Sequence, residues 1–115
     1  MITVLAAIAG FMAVALGAFG AHALDSGFGE KQMGWWHTAT LYLLVHAALA
    51  TAISTASPGK FGLAAGVILF GAVLFAATLY AMALGAPRWF GAITPIGGLG
   101  MLAGWALIAW AAFKA

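Results

Sequence analysis

Residues 1–24 read MITVLAAIAGFMAVALGAFGAHAL, and no Asp, Glu, Lys or Arg interrupts them. A secretory signal carries basic residues ahead of an apolar stretch of roughly 7–15 residues. This run has no basic residue before it and is longer than that, so it reads as a retained membrane span. The rest of the chain extends the reading. Of 115 residues, 66% are hydrophobic and only 5% charged, whereas a soluble domain carries about 25% charge. A chain this apolar has too little polar surface to face water, and the membrane class follows from composition. The net charge of +2 is spread over four basic and two acidic residues, with no basic cluster of the kind nucleic acids require. The chain has no cysteine, which excludes disulfides, thiol catalysis and sulfur-ligated zinc.

A helix crossing the bilayer core needs roughly 20 apolar residues. Four stretches qualify, at about 2–24, 33–56, 61–85 and 93–113, and together they make one membrane domain. The breaks hold most of the charge: Asp25, Glu30 and Lys31 in the first, Lys60 in the Pro-Gly turn "SPGK", and Arg88 after Pro87 in the third. Short breaks between long helices make sequence neighbours antiparallel. The predicted fold is therefore all-α, an integral membrane four-helix antiparallel bundle. Lys60 and Lys114 fall on one side, Lys31 and Arg88 on the other, so the positive-inside rule is balanced apart from the terminal amine. Trp35, Trp36 and Trp89 stand at span boundaries, where indole rings favour the headgroup level. Thr94 and Pro95 read as the cap and first turn of the last helix.

The topology also places the polar side chains. The half of the bundle nearest the first and third breaks holds His22, His37, Thr38, Thr40, Tyr42, Thr78, Tyr80 and Thr94; the other half has Thr3, Thr51, Ser54 and Thr55. At a rise of about 1.5 Å per residue, His46 lies roughly 15 Å below Trp36, near the midplane, and Tyr42 roughly 9 Å below it. Thr38, Tyr42 and His46 share a helix face by their i, i+4 spacing. The candidate polar cluster is thus His22, Thr38, Tyr42, His46, Thr78, Tyr80 and Thr94, with Tyr42, Thr78 and Tyr80 in one layer. His22 at the rim reads either as an interfacial side chain or as one wall of a polar vestibule. A mid-membrane imidazole is costly unless it is bonded and faces the bundle interior. His46 accordingly reads first as an interhelical hydrogen bond, with a proton or solute pathway and a ligand site as alternatives.

Small residues mark helix contacts. Ala9, Ala13, Gly17 and Ala21 form an i, i+4 ridge on the first helix; Gly62 and Gly66 make a GxxxG pair on the third, and Gly100 and Gly104 another on the fourth. Such ridges let backbones approach closely in lipid, within the bundle or against a second copy. Enzymatic chemistries find no support. No span holds a carboxylate for acid–base work, and three histidines at separate depths and faces make neither a metal site nor a haem pair. No cofactor is expected.

Four motifs in order resemble a known family. "GAFGAHAL" (17–24) resembles the GAxGAH signature of a widespread group of small bacterial membrane proteins, domain of unknown function 423, whose eukaryotic relatives are of the transmembrane protein 256 type. Trp36, Thr38, Ala39, Tyr42 and His46 are similar to its second-helix motif, "LFAATLYAMALGA" to its third, and "ITPIGGLGMLAGW" to its fourth. His37 departs from the pattern. The resemblance implies four spans and a multi-pass protein of the bacterial inner membrane. It singles out His22, Tyr42 and His46 and carries no biochemical function. The functional expectation is a non-enzymatic accessory, assembly or scaffold component acting through helix contacts. Its partners would be the lipid bilayer, a second copy or another membrane protein, and not nucleic acid. The alternatives are a proton or small-solute transport element around Tyr42 and His46, and a lipid or quinone binder using Trp36, Tyr42, Tyr80 and Trp105.

Overall fold

A computed structural model describes residues 1–24 and 27–114, and among them it contains helices and no strands. Helix α1 (Ile2–Ala15) runs on through a π-helical segment, Leu16–Gly20, into the single turn α2 (Ala21–Leu24). Then come α3 (Glu30–Ala56), α4 (Pro58–Ala83), a 3-10 turn at Arg88–Ala92, and α5 (Thr94–Lys114). Four segments are long and apolar enough to cross a membrane: Ile2–Gly20, Glu30–Ala56, Pro58–Ala83 and Arg88–Lys114.

Local chemistry sets the breaks. α3 begins at Glu30 rather than Met33 because the Gln32 side chain reaches back to accept the Gly29 amide at 2.6 Å, satisfying a donor that would otherwise be orphaned. One residue, Ser57, separates α3 from α4. Pro58 occupies the first turn of α4, where a missing N–H costs nothing, and the Ser57 carbonyl accepts from the amides of Lys60 and Phe61. α4 closes in a Schellman turn: Gly85 takes a φ of 111°, its amide bonds the Met82 carbonyl, and the Ala86 amide bonds the Ala81 carbonyl. Pro87 then prevents the helix from resuming. Thr94 does not cap α5. Its hydroxyl turns back to the Phe90 carbonyl at 3.3 Å and lies 2.7 Å from Thr78 Oγ1 on α4.

The helices pack in chain order, α1 on α3, α3 on α4, α4 on α5, with α1 touching α4 lightly and making no substantial contact with α5. α4 is therefore the enclosed helix: half of its most apolar window is buried (50%), against 17% for α1 and for α5. Side-chain size is distributed opposite to a water-soluble core. Alanines fill the interior at positions 6, 13, 39, 50, 65 and 72, all fully buried, while Phe11, Phe19, Leu63, Leu99, Leu102 and Phe113 point outward. Lipid is as apolar as leucine, so large side chains gain nothing by turning inward, and close backbone approach supplies the attraction instead.

The closest approach is the α4–α5 seam. A Cβ on Gly71 would stand 2.6 Å from the Met101 amide nitrogen and 2.7 Å from the Gly97 carbonyl oxygen; one on Gly97 would stand 2.5 Å from the Phe75 nitrogen. One on Gly100 would stand 2.9 Å from Gly71 Cα, and one on Gly104 would run into Ile68. A Cβ on Gly66 would meet the tip of Ile2 at an ordinary 3.6 Å, whereas one on Gly62 would meet nothing within 4 Å. The GxxxG at Gly62 and Gly66 is thus no tight seam; Gly71 is the partner of Gly97 and Gly100.

Gly71→Ala and Gly97→Ala should each lower unfolding stability in detergent by about 1–3 kcal/mol, because backbone cannot yield as a flexible side chain does. Gly62→Ala should be neutral or stabilising by up to about 1 kcal/mol, the ordinary helical gain. Denaturation of the purified variants followed by circular dichroism tests the contrast.

Candidate functional site

Among the described residues His46 is the most buried ionisable side chain, and the structure accounts for both of its nitrogens. It is 6% exposed. Nδ1 lies 2.7 Å from the Tyr42 carbonyl oxygen one turn back on α3. Nε2 accepts from the Trp105 indole N–H of α5 at 3.1 Å. A carbonyl can only accept and an indole N–H can only donate, so these partners assign the hydrogen to Nδ1 and the lone pair to Nε2 in the neutral ring. The Tyr42 ring stacks parallel to the imidazole (9° between planes) and leans on Phe75 of α4 at 4.8 Å. The Tyr42 side chain is 41% exposed. Together with Pro95, Leu99, Leu102 and Trp105, these residues line a shallow groove of about 590 Å³ between α3 and α5.

A second node joins α1, α3 and α4. The π-helical segment at Leu16–Gly20 shifts the hydrogen-bond pattern by one residue, and the Leu16 carbonyl accepts from the Trp36 indole N–H at 2.8 Å. Glycines make room for this. A Cβ on Gly20 would fall 2.8 Å from the Trp36 ring, and one on Gly17 would fall 2.6 Å from Thr40 Cγ2. Trp36 is therefore buried, at 3% exposure, and not a headgroup anchor as its boundary position suggested. Its ring meets Tyr80 of α4 edge-on at 4.6 Å. The Tyr80 hydroxyl lies 2.7 Å from Thr40 Oγ1, which also donates to the Trp36 carbonyl.

Two smaller pairs complete the set. Thr78 donates to the Phe75 carbonyl at 2.9 Å, and its oxygen lies 2.7 Å from Thr94 Oγ1, tying α4 to α5. Toward the opposite end, Thr3 of α1 and Ser54 of α3 lie 2.8 Å apart. Among the described residues no buried side-chain polar atom lacks a partner, and no group of three His, Cys, Asp or Glu could hold a metal.

The expected cluster is thus divided. Tyr42 with His46, Tyr80 with Thr40, and Thr78 with Thr94 form three separate contacts. His22 and Thr38 lie exposed, as does His37. Thr40 was not singled out from the sequence, although its i, i+4 spacing to Trp36 places both on one face of α3 opposite Gly17 and Gly20.

Four long apolar helices, polar side chains spent on one another and large apolar residues turned outward define a multi-pass integral membrane protein. Residues 16–98 match the family described as protein of unknown function (DUF423), and the chain belongs to that family. Over 114 residues it is 37% identical to the UPF0382 inner membrane protein YgdD of Escherichia coli, covering 91% of this chain and 83% of the relative. It is 38% identical to a UPF0382 membrane protein of Staphylococcus epidermidis, covering 96% and 93%, and 36% identical to one of Staphylococcus haemolyticus. No solved structure matches the chain.

A double-mutant cycle of His46→Leu and Trp105→Phe should give a favourable coupling of about 0.6 kcal/mol and at most about 1.7 kcal/mol, the average and the maximum for hydrogen bonds between membrane helices. Trp105→Phe alone should be destabilising, since it leaves His46 Nε2 without its donor. Reversible unfolding in detergent measures both.

Proposed function

We propose that this protein is a non-enzymatic accessory or scaffold component of the membrane, acting through contacts of its helices with a second copy or with another membrane protein. The observation that carries the reading is the engagement of both His46 nitrogens, by the Tyr42 carbonyl and the Trp105 indole. A side chain that relays protons or ligates must offer a nitrogen, and this one offers none while those bonds hold. The other inward polar side chains are likewise taken up in pairs between helices, which weighs against an aqueous path through the bundle.

The outer surface supports action by contact. Between α1 and α3 runs an apolar groove of about 720 Å³, floored by Ala6, Ala7, Gly10, Ala47 and Ala48 and flanked by Phe11 and Phe19. Small residues at a groove floor allow another helix to lie close, and packing against lipid-facing helices is governed by such fit.

Crosslinking in native membranes should trap a defined oligomer or a discrete hetero-complex, and large substitutions at Gly10 or Ala48 should abolish it while leaving the monomer folded. Reconstituted protein should conduct neither protons nor small solutes. Strictly monomeric behaviour under crosslinking, or a flux abolished by His46→Leu with folding intact, would refute the reading.

A further inference from the structure

We propose that the end of the molecule where α4 begins and α5 finishes is a binding site for one anionic phospholipid, its phosphate held between Lys60 and Lys114. The two lysines line one small cleft of about 120 Å³ between these helices, together with Leu63, Leu107 and Trp110. Each ammonium lies near an aromatic ring: Lys114 Nζ is 5.7 Å from the Trp110 ring centroid, and Lys60 Nζ is 5.3 Å from that of Phe61. The two lysines bring like charges to one cleft, and an anion bound there is attracted by both. Among the described residues no aspartate or glutamate side chain lines the cleft. Among the described residues the one acidic side chain is Glu30, at the start of α3 on the opposite side.

The walls of the cleft select the source of the anion. Toward the bilayer interior they are apolar, Leu63 on α4 and Leu107 on α5, so they suit an acyl chain lying beneath a phosphate. An inorganic ion would use only the upper half. Lysines at helix ends extend to the headgroup level, and basic pockets between membrane helices suit anionic headgroups. Trp110, 57% exposed, adds an amphipathic ring at the same level. The site is independent of the scaffold role, because it uses neither His46 nor the α1–α3 groove.

The test is lipid binding by the full chain in nonionic detergent, followed by native mass spectrometry with phosphatidylglycerol and, in parallel, phosphatidylcholine. The wild type should bind one phosphatidylglycerol roughly tenfold more tightly than phosphatidylcholine. K60Q/K114Q should lose that preference. K31Q/R88Q, which removes equal charge from the other end, should keep it. Circular dichroism should be the same for all three, since the four side chains are exposed. An absent preference in the wild type, equal loss in both double variants, or displacement of the lipid by millimolar inorganic phosphate would each overturn the proposal.

Discussion

A hydrogen-bonding side chain within a bilayer has no water to turn to, and in this protein each buried one turns to a neighbouring helix instead. Trp36 reaches the Leu16 carbonyl, Thr40 reaches Tyr80, His46 reaches Trp105, Thr78 reaches Thr94, and Thr3 reaches Ser54. Every neighbouring pair of spans is joined at least once, and His46 adds a link between α3 and α5, which are otherwise separated by α4. Each link contributes little, about 0.6 kcal/mol on average. Their larger effect is on register. A bond between two named atoms holds one helix against another at a fixed height and rotation, which smooth apolar surfaces do not do.

Close packing complements these links. The α4–α5 seam brings backbone to backbone through Gly71, Gly97 and Gly100, and the same proximity lets Thr78 meet Thr94. On the other flank, Gly17 and Gly20 hollow the end of the first span so that Thr40 and Trp36 can enter. The π-helical turn there is coupled to that entry, since the Leu16 carbonyl at its start is the acceptor for the indole. Glycine at these places is a matter of space: their φ values are helical, and Gly85 alone uses a positive φ.

The four crossings were legible because span length and charge position are one-dimensional signals, and the chain's few charges fall where helices end. Which side of a helix faces inward was much less legible. All four spans are apolar around their circumference, so periodicity could not separate a buried Trp36 from an interfacial one, or Thr40 from Thr38. With sixteen glycines, small-residue spacing is equally ambiguous: Gly62 matches the pattern though a Cβ there would meet nothing, while Gly71, without a matching partner on its own helix, sits where backbone meets backbone. Thr94 before Pro95 carries a cap signature, yet its hydroxyl bonds Phe90 and Thr78, a choice that depends on where α4 lies. His46 was legible as a residue needing a partner; Trp105 as that partner was not, because the pairing depends on the rotation of α5.

Both nitrogens of the His46 imidazole are bonded, which makes the ring a fixed cross-link between α3 and α5. Nitrogen-15 NMR of the protein in lipid bilayers, with histidine and tryptophan labelled, tests it most directly. The two bonds require a proton on Nδ1 of His46, none on Nε2, and a coupling across the hydrogen bond between Trp105 Nε1 and His46 Nε2. A proton resident on Nε2, or no coupling to Trp105 together with rapid exchange of the ring proton with water, would contradict it.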